Sequence, residues 1–208
     1  SVDSGEKLGW SVWKRTPKDN DGEGAAHYVI FNQFASKDQR DKMMKGWSMS
    51  KATSIMKAGL KGKMSSRTVD NIVRKGDQIK KQVRQYELQV VDATPFVGGD
   101  LKKGDKMSYA AMTQKLDDYE QYESEVWKPM FEREILRNNF RWWGLTKIVN
   151  RNDSAYKKPT HLVWNIPVKN GKPFMEDENF MARKMRSMMD DYREMSPGNE
   201  LSLVYSTN

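Results

Sequence analysis

Only two side chains in this sequence are suited to proton transfer near neutral pH, and both open apolar stretches. His27 begins His27-Tyr28-Val29-Ile30 and His161 begins His161-Leu162-Val163-Trp164. A histidine at the start of a strand can act as acid, base or hydrogen-bond donor to a ligand. Its plainer role is to bond a strand-edge carbonyl or to face solvent. Tryptophans lie beside both segments. Trp13 and Trp164, with Tyr109, could wall an aromatic ligand cavity, or simply pack between layers. His27, His161, Trp13, Trp164 and Tyr109 are therefore the candidate ligand-binding set.

Five carboxylates, Glu120, Glu123, Glu125, Glu132 and Glu134, fall on one stretch. They could bind a metal or supply a general acid. Lys128, Arg133 and Arg137 among them point instead to a solvated, ion-paired helix face. The composition excludes much else. With no Cys there is no thiolate nucleophile, disulfide scaffold or Cys-ligated metal, and two His cannot make a three-His site in one chain. No cofactor or metal is indicated. Lys57-Ala58-Gly59-Leu60-Lys61-Gly62-Lys63 lacks the spacing of a phosphate-binding loop, and neither a Ser–His–Asp order nor a dinucleotide fingerprint is apparent.

The 208 residues carry 36 Lys and Arg against 28 Asp and Glu, a formal +8. Much of the positive charge lies between Lys51 and Arg84. Lys57, Lys61, Lys63 and Arg67 mark it as a candidate interaction surface. Phosphate contact is one reading. The lack of a recognition helix or paired RNA-binding aromatics argues against nucleic acid and for a solvated surface or an acidic protein partner. No run of 18 apolar residues is present, so a membrane span is not expected.

The elements that must position these residues alternate between strand and helix. Strands are expected at Leu8–Arg15, His27–Phe34, Glu87–Thr94, Lys106–Lys115, Gly144–Val149, His161–Val168 and Leu201–Ser206. Ser36 can cap a helix from Lys37. A broken helical excursion follows from Met49, and Val69, Ile72, Val73, Gly76, Ile79 and Val83 recur at helical spacing. A helix starting near Leu116 has two apolar rows, with Pro129 bending it. Met181, Met185, Met188, Met189 and Tyr192 are spaced as a buried helical face.

The chain also repeats itself. Trp10-Ser11-Val12-Trp13-Lys14 matches Trp143-Gly144-Leu145-Thr146-Lys147, the two His-led stretches match, and Glu87-Leu88-Gln89-Val90-Val91 matches Glu200-Leu201-Ser202-Leu203-Val204. Two tandem ferredoxin-like units are expected, residues 1–97 with a helical insertion and residues 105–208, packing sheet against sheet. The start, Ser1 to Trp10, reads as a helix end running into a strand, so the first unit is expected to lack its opening strand and helix. These would come from a missing segment or a protein partner.

Tyr119 to Trp143 (YEQYESEVWKPMFEREILRNNFRWW) and Gly144-Leu145-Thr146-Lys147 resemble the dimeric α/β-barrel superfamily, including bacterial members with two tandem units. The resemblance implies an α+β barrel and varied activities: monooxygenases, haem enzymes, isomerases and small-ligand sensors. Fold analogy alone cannot choose among these. The poor catalytic equipment makes a non-catalytic interaction or structural protein the first expectation, as a component of an exported, periplasmic or extracellular assembly. The alternative is a small-molecule binding protein or cofactor-independent enzyme using the barrel cavity.

Overall fold

The computed structural model describes residues 2–174 and 180–207. The chain forms two compact units. The smaller comprises residues 2–10 with Phe31–Val83 and Thr207; the larger comprises Ser11–Ile30 and Arg84–Ser206.

The smaller unit carries three helices, α1 (Lys37–Lys45), α2 (Met49–Gly59) and α3 (Ser66–Ile79). Each starts at a serine whose hydroxyl accepts a backbone N–H of the first turn: Ser36 from Gln39, Ser48 from Lys51 and Ser65 from Thr68, each at 3.1 Å. These caps satisfy donors that a helix start leaves orphaned. Gly46 closes α1. Lys57 and Asp70 join α2 to α3 at 2.7 Å. Val69 on α3 is buried, whereas α1 and α2 bury no residue.

The chain holds one antiparallel sheet. Its strands are β1 (Gly9–Arg15), β2 (Tyr28–Gln33), β3 (Tyr86–Ala93), β4 (Lys106–Gln114), β5 (Phe140–Arg151), β6 (His161–Pro167), β7 (Arg193–Met195) and β8 (Asn199–Ser206). All of them except parts of β1 and β2 belong to the larger unit. The order is β2-β1-β8-β4-β6-β5-β3. Along one edge of β4, β8 pairs with Lys106–Tyr109 and β7 takes over at Met112–Gln114.

Alternation along the strands gives the sheet two buried faces. Met112, Trp143, Leu145 and Val163 face a cover formed by α4 (Tyr119–Tyr122), a π-helical turn (Glu123–Trp127) and α5 (Lys128–Leu136). Met189 and Tyr192 of α6 (Phe180–Tyr192) also pack there. On the other face the curled sheet buries Trp13, Met107, Leu162, Trp164, Ile166, Leu201 and Leu203.

This corrects the expectation of two tandem ferredoxin-like units in a dimeric α/β barrel. One continuous sheet replaces two packed sheets. β1 pairs with β8 and β3 with β5, so the strands assigned to the first unit lie at opposite edges of the sheet. The matched segments reported strand-forming character, which is local; strand partners are chosen by contacts distant in sequence, which short matches cannot report. Helices α1–α3, which follow β2 and precede β3 in the chain, belong to the smaller unit. The methionine row of α6 is only partly buried: Met188 is exposed, and the Met181 side chain lies outside the described residues. No helix among the described residues is long and apolar enough to cross a membrane.

Candidate functional site

The site begins with a proline. Pro129 has no N–H to continue the helical ladder. The chain meets this with a wider turn just before it, in which the Lys128 N–H reaches back five residues to the Glu123 carbonyl. π-turns are rare and recur at functional sites. Here the turn has a geometric effect. Steps of four residues drift about 40° each around an α-helix, which would carry Phe131 well away from Tyr119. The wide turn takes up the drift, so Tyr119, Glu123, Trp127 and Phe131 are all buried.

Glu123 is thereby turned into the apolar layer. Its partner is Arg193, the first residue of β7, held there by β7 pairing with the end of β4. Glu123 and Arg193 form an ion pair with almost no exposure of either side chain. The guanidinium lies 5.1 Å over the Trp127 ring, and its Nη2 contacts Met189 Sδ at 3.2 Å. Burial pushes the Arg193 pKa below its ordinary value. Apart from Arg193, neither carboxylate oxygen of Glu123 has a hydrogen-bond partner among the described residues. Desolvating such a pair costs several kcal/mol per ion, of the order of the attraction it recovers. It is therefore an expensive feature to maintain for stability alone.

The pair borders a cavity of about 230 Å³. Ala110, Met112, Trp143, Val163 and Asn165 supply its sheet side, and Trp127, Phe131 and Phe174 its aromatic cover. Phe131 and Phe174 stack with centroids 4.1 Å apart at 9°, and Phe131 lies 6.0 Å from Trp143 at 22°. Trp143 and Asn165 oppose one another across β5 and β6. The Trp143 indole N–H and the Asn165 side-chain oxygen are both buried without a hydrogen-bond partner among the described residues. Buried polar groups are nearly always paired. Both residues line the cavity, and a donor and an acceptor without partners beside it match a ligand with an acceptor and a donor of its own. The volume lies between the roughly 150 Å³ that admits benzene and the roughly 300 Å³ at which drug-sized pockets begin. It suits a molecule of one or two rings.

His161 lies on the same face, beside the cavity. Its Nε2 is 3.0 Å from Glu120 Oε1, its Nδ1 is 2.8 Å from Thr160 Oγ1, and its ring meets Tyr119 edge-on at 4.9 Å. Glu120 also accepts from Lys147 at 2.7 Å. A neutral ring with hydrogen on Nε2 satisfies both contacts. Burial lowers the His161 pKa, and the Glu120 bond offsets only part of that. The Lys147 bond, then His161, holds Glu120 below the usual carboxylate range. The Tyr119 hydroxyl is buried without a hydrogen-bond partner among the described residues, and burial pushes its pKa far up, so it stays a neutral phenol.

The other candidates from the sequence are dispersed. His27 is exposed, and its carbonyl accepts the Arg15 N–H at 2.9 Å, so the two histidines do not converge. Trp13 donates to Ser11 at 3.0 Å and Trp164 to Thr146 at 2.9 Å. Tyr109 lies 5.1 Å from Trp164. Strand alternation puts Trp164 on the face opposite Val163 and Asn165, away from the cavity. Lys57, Lys61, Lys63 and Arg67 are in the smaller unit; Lys57 pairs with Asp70, and the other three are exposed. Sequence reasoning missed Arg193, Asn165 and Phe174, and it places Glu123 with the other carboxylates on a solvated, ion-paired helix face, whereas Glu123 is buried. The usable signal was Pro129 directly after Glu-Ser-Glu-Val-Trp-Lys, which forces a change of helical pitch. Among the described residues no three His, Asp or Glu gather in a way that could hold a metal ion.

No protein-family model matches the chain, and no curated protein matches it. Solved structures do share the fold. An anthrone oxidase-like protein aligns with 99% of this chain and 81% of its own, at TM-score 0.55 and 12% identity. A proposed monooxygenase from Fusobacterium nucleatum aligns over 96% and 77%, at 0.56 and 9%. One from Lactobacillus acidophilus NCFM aligns over 97% and 80%, at 0.55 and 12%. At these identities the likeness is one of fold. The first expectation, a non-catalytic interaction or structural protein, is corrected: the similar folds carry oxidase and monooxygenase names, and the larger unit holds an aromatic cavity bordered by a buried ion pair.

Proposed function

We propose that this protein is a small-molecule enzyme that oxidises a hydroxylated or keto aromatic compound of one or two rings, with dioxygen as oxidant. One observation carries the reading: the aromatic cavity holds the buried Arg193–Glu123 pair and the two open polar groups of Trp143 and Asn165. The oxidase and monooxygenase names of the similar folds supply the reaction class.

Each group has a task. The stacked rings of Phe131 and Phe174 hold a flat molecule and exclude water. The Trp143 N–H donates to a ring oxygen and the Asn165 oxygen accepts from a hydroxyl. Glu123 takes the proton of the ring hydroxyl, or of the ring methylene in a keto compound, and the Arg193 cation stabilises the oxyanion left behind. With naphthol as the simplest bicyclic probe, the overall reaction is naphthol plus dioxygen to naphthoquinone plus water. Four electrons leave the ring; one oxygen atom ends in the new carbonyl and the other in water.

Oxygen uptake and quinone absorbance, followed with naphthol and the purified chain, test this. Uptake matched to quinone formation and abolished by Glu123→Gln is the expected result. Binding without uptake overturns the catalytic half of the reading, and absence of binding overturns the whole.

A further inference from the structure

The smaller unit has an unusual charge distribution. Residues 37–83 contain thirteen Lys and Arg against four Asp, an excess of nine. The whole chain carries +8, so the rest is one charge negative. Ten of the thirteen are Lys. Lys42, Lys45, Lys61 and Lys63 have no acidic partner among the described residues.

The same segment leaves large apolar side chains in water. Met44, Trp47 and Met49, at the junction of α1 and α2, are 53%, 51% and 46% exposed, with Lys42, Lys45 and Lys51 interleaved. Ile55 and Met64 are also exposed, beside Lys57, Lys61 and Lys63. A single exposed apolar residue needs no explanation, but three large ones within six residues, at one turn between two helices, form a candidate interaction surface. Helices α1 and α2 fully bury no residue of their own: Met43 and Met56 are half-buried, while Met44, Met49 and Ile55 stay exposed.

We propose that α1, α2 and the turn between them seat on an anionic lipid surface, with Met44, Trp47 and Met49 entering the headgroup layer and the surrounding lysines contacting lipid phosphates. Charge complementarity selects this occupant. Lysine stems extend along apolar surface while their ammonium groups reach outward. Tryptophan favours the membrane–water interface. Basic faces interleaved with Trp and aliphatic residues bind in the plane of that interface. A nucleic acid would use the lysines but leave the exposed Met and Ile side chains in water. The cavity and its chemistry have no part in this inference.

Flotation of the full chain with vesicles tests it. At low salt the chain should bind vesicles of three parts phosphatidylcholine to one part phosphatidylglycerol, and bind pure phosphatidylcholine far more weakly. Binding should fall steeply with added salt. Each lysine near such a surface contributes about fivefold in affinity. Lys42→Glu with Lys45→Glu should therefore lower binding by more than about tenfold, as should Trp47→Ser with Met44→Ser. All four sites are exposed, so far-ultraviolet circular dichroism should stay unchanged. Absence of binding at low salt, equal binding to both vesicles, or unchanged binding by these variants overturns the proposal. So does vesicle-free self-association abolished by Trp47→Ser, which would assign the face to a second copy. Equal affinity for polyglutamate or duplex DNA overturns it as well.

Discussion

The Arg193 guanidinium and the Glu123 carboxylate meet with 6% and 1% of their side chains exposed, one delivered by a three-residue strand and the other by a π-turn. Neither element is a strong structure by itself. Each is held by a neighbour: β7 by the end of β4, and the π-turn by the missing N–H of Pro129.

Removing one member of this pair should be costly and removing both should not. Arg193→Met or Glu123→Leu leaves an uncompensated buried charge, which typically costs about 3–5 kcal/mol. The double variant should unfold in urea within about 1 kcal/mol of the parent, or be more stable, because two apolar side chains then fill an apolar layer. All three should lose naphthol oxidation. If the double variant is as unstable as the singles, the pair is structural and the site reading weakens.

Trp143→Phe separates binding from packing. The indole N–H has no hydrogen-bond partner among the described residues, so its loss should leave stability within about 1 kcal/mol. Naphthol affinity, read by fluorescence quenching, should drop about tenfold, the worth of one hydrogen bond. Trp164→Phe should behave in reverse. Its N–H bonds Thr146 on the opposite face, so stability should fall by about 1 kcal/mol while naphthol affinity holds.

Strand positions were legible because alternation and β-branched content are local; His161–Pro167 and Tyr86–Ala93 fall within a residue of expectation. Pairing was not legible. Nothing within Glu87–Val91 says that it will join Lys147 and Thr146 rather than the strand before it. The site failed for a related reason. Glu123 sits among four other glutamates and reads as one more solvated charge; only the altered pitch ahead of Pro129 separates it from Glu125, which is exposed. Arg193 closes a methionine-rich helix as any basic residue near a helix end does. Its burial depends on β7, too short to carry a pattern. Trp13 and Trp164 are buried and Tyr109 is half-buried, but a strand has two faces, and sequence does not say which one holds the cavity.

His161 should make stability fall as pH falls. Its folded pKa lies below the unfolded value near 6.5, mainly because burial disfavours the charged ring. The unfolded chain therefore binds the proton first. Its contribution is fully present above that value and is lost as pH drops from 6.5 through the folded pKa. Glu120, lowered chiefly by Lys147, adds a second loss in the same direction below pH 4.5. Urea midpoints measured across the acid range should show both, and His161→Gln should remove only the upper one. A parent profile that is flat between pH 7 and 5 would contradict the buried neutral ring.

Gly171 is required by space rather than by backbone conformation. A Cβ there would lie 2.5 Å from the Asn139 carbonyl oxygen and 3.0 Å from its Cα, both main-chain atoms with little freedom to yield. Asn139 is itself pinned, accepting the Val168 N–H at 2.9 Å on its carbonyl and the Lys172 N–H at 3.0 Å on its side chain. This clasp sets the path of the loop to Phe174, whose ring stacks on Phe131 over the cavity. Gly171→Ala should therefore cost about 1–3 kcal/mol, as overpacking does, and should weaken naphthol binding by displacing Phe174. Gly76→Ala is the contrasting case. Gly76 lies within α3 with nothing near its missing Cβ, so alanine should stabilise the chain by about 0.5–1 kcal/mol and leave naphthol binding unchanged. Equal effects of the two substitutions on naphthol binding would show that the Asn139 clasp does not govern the cavity.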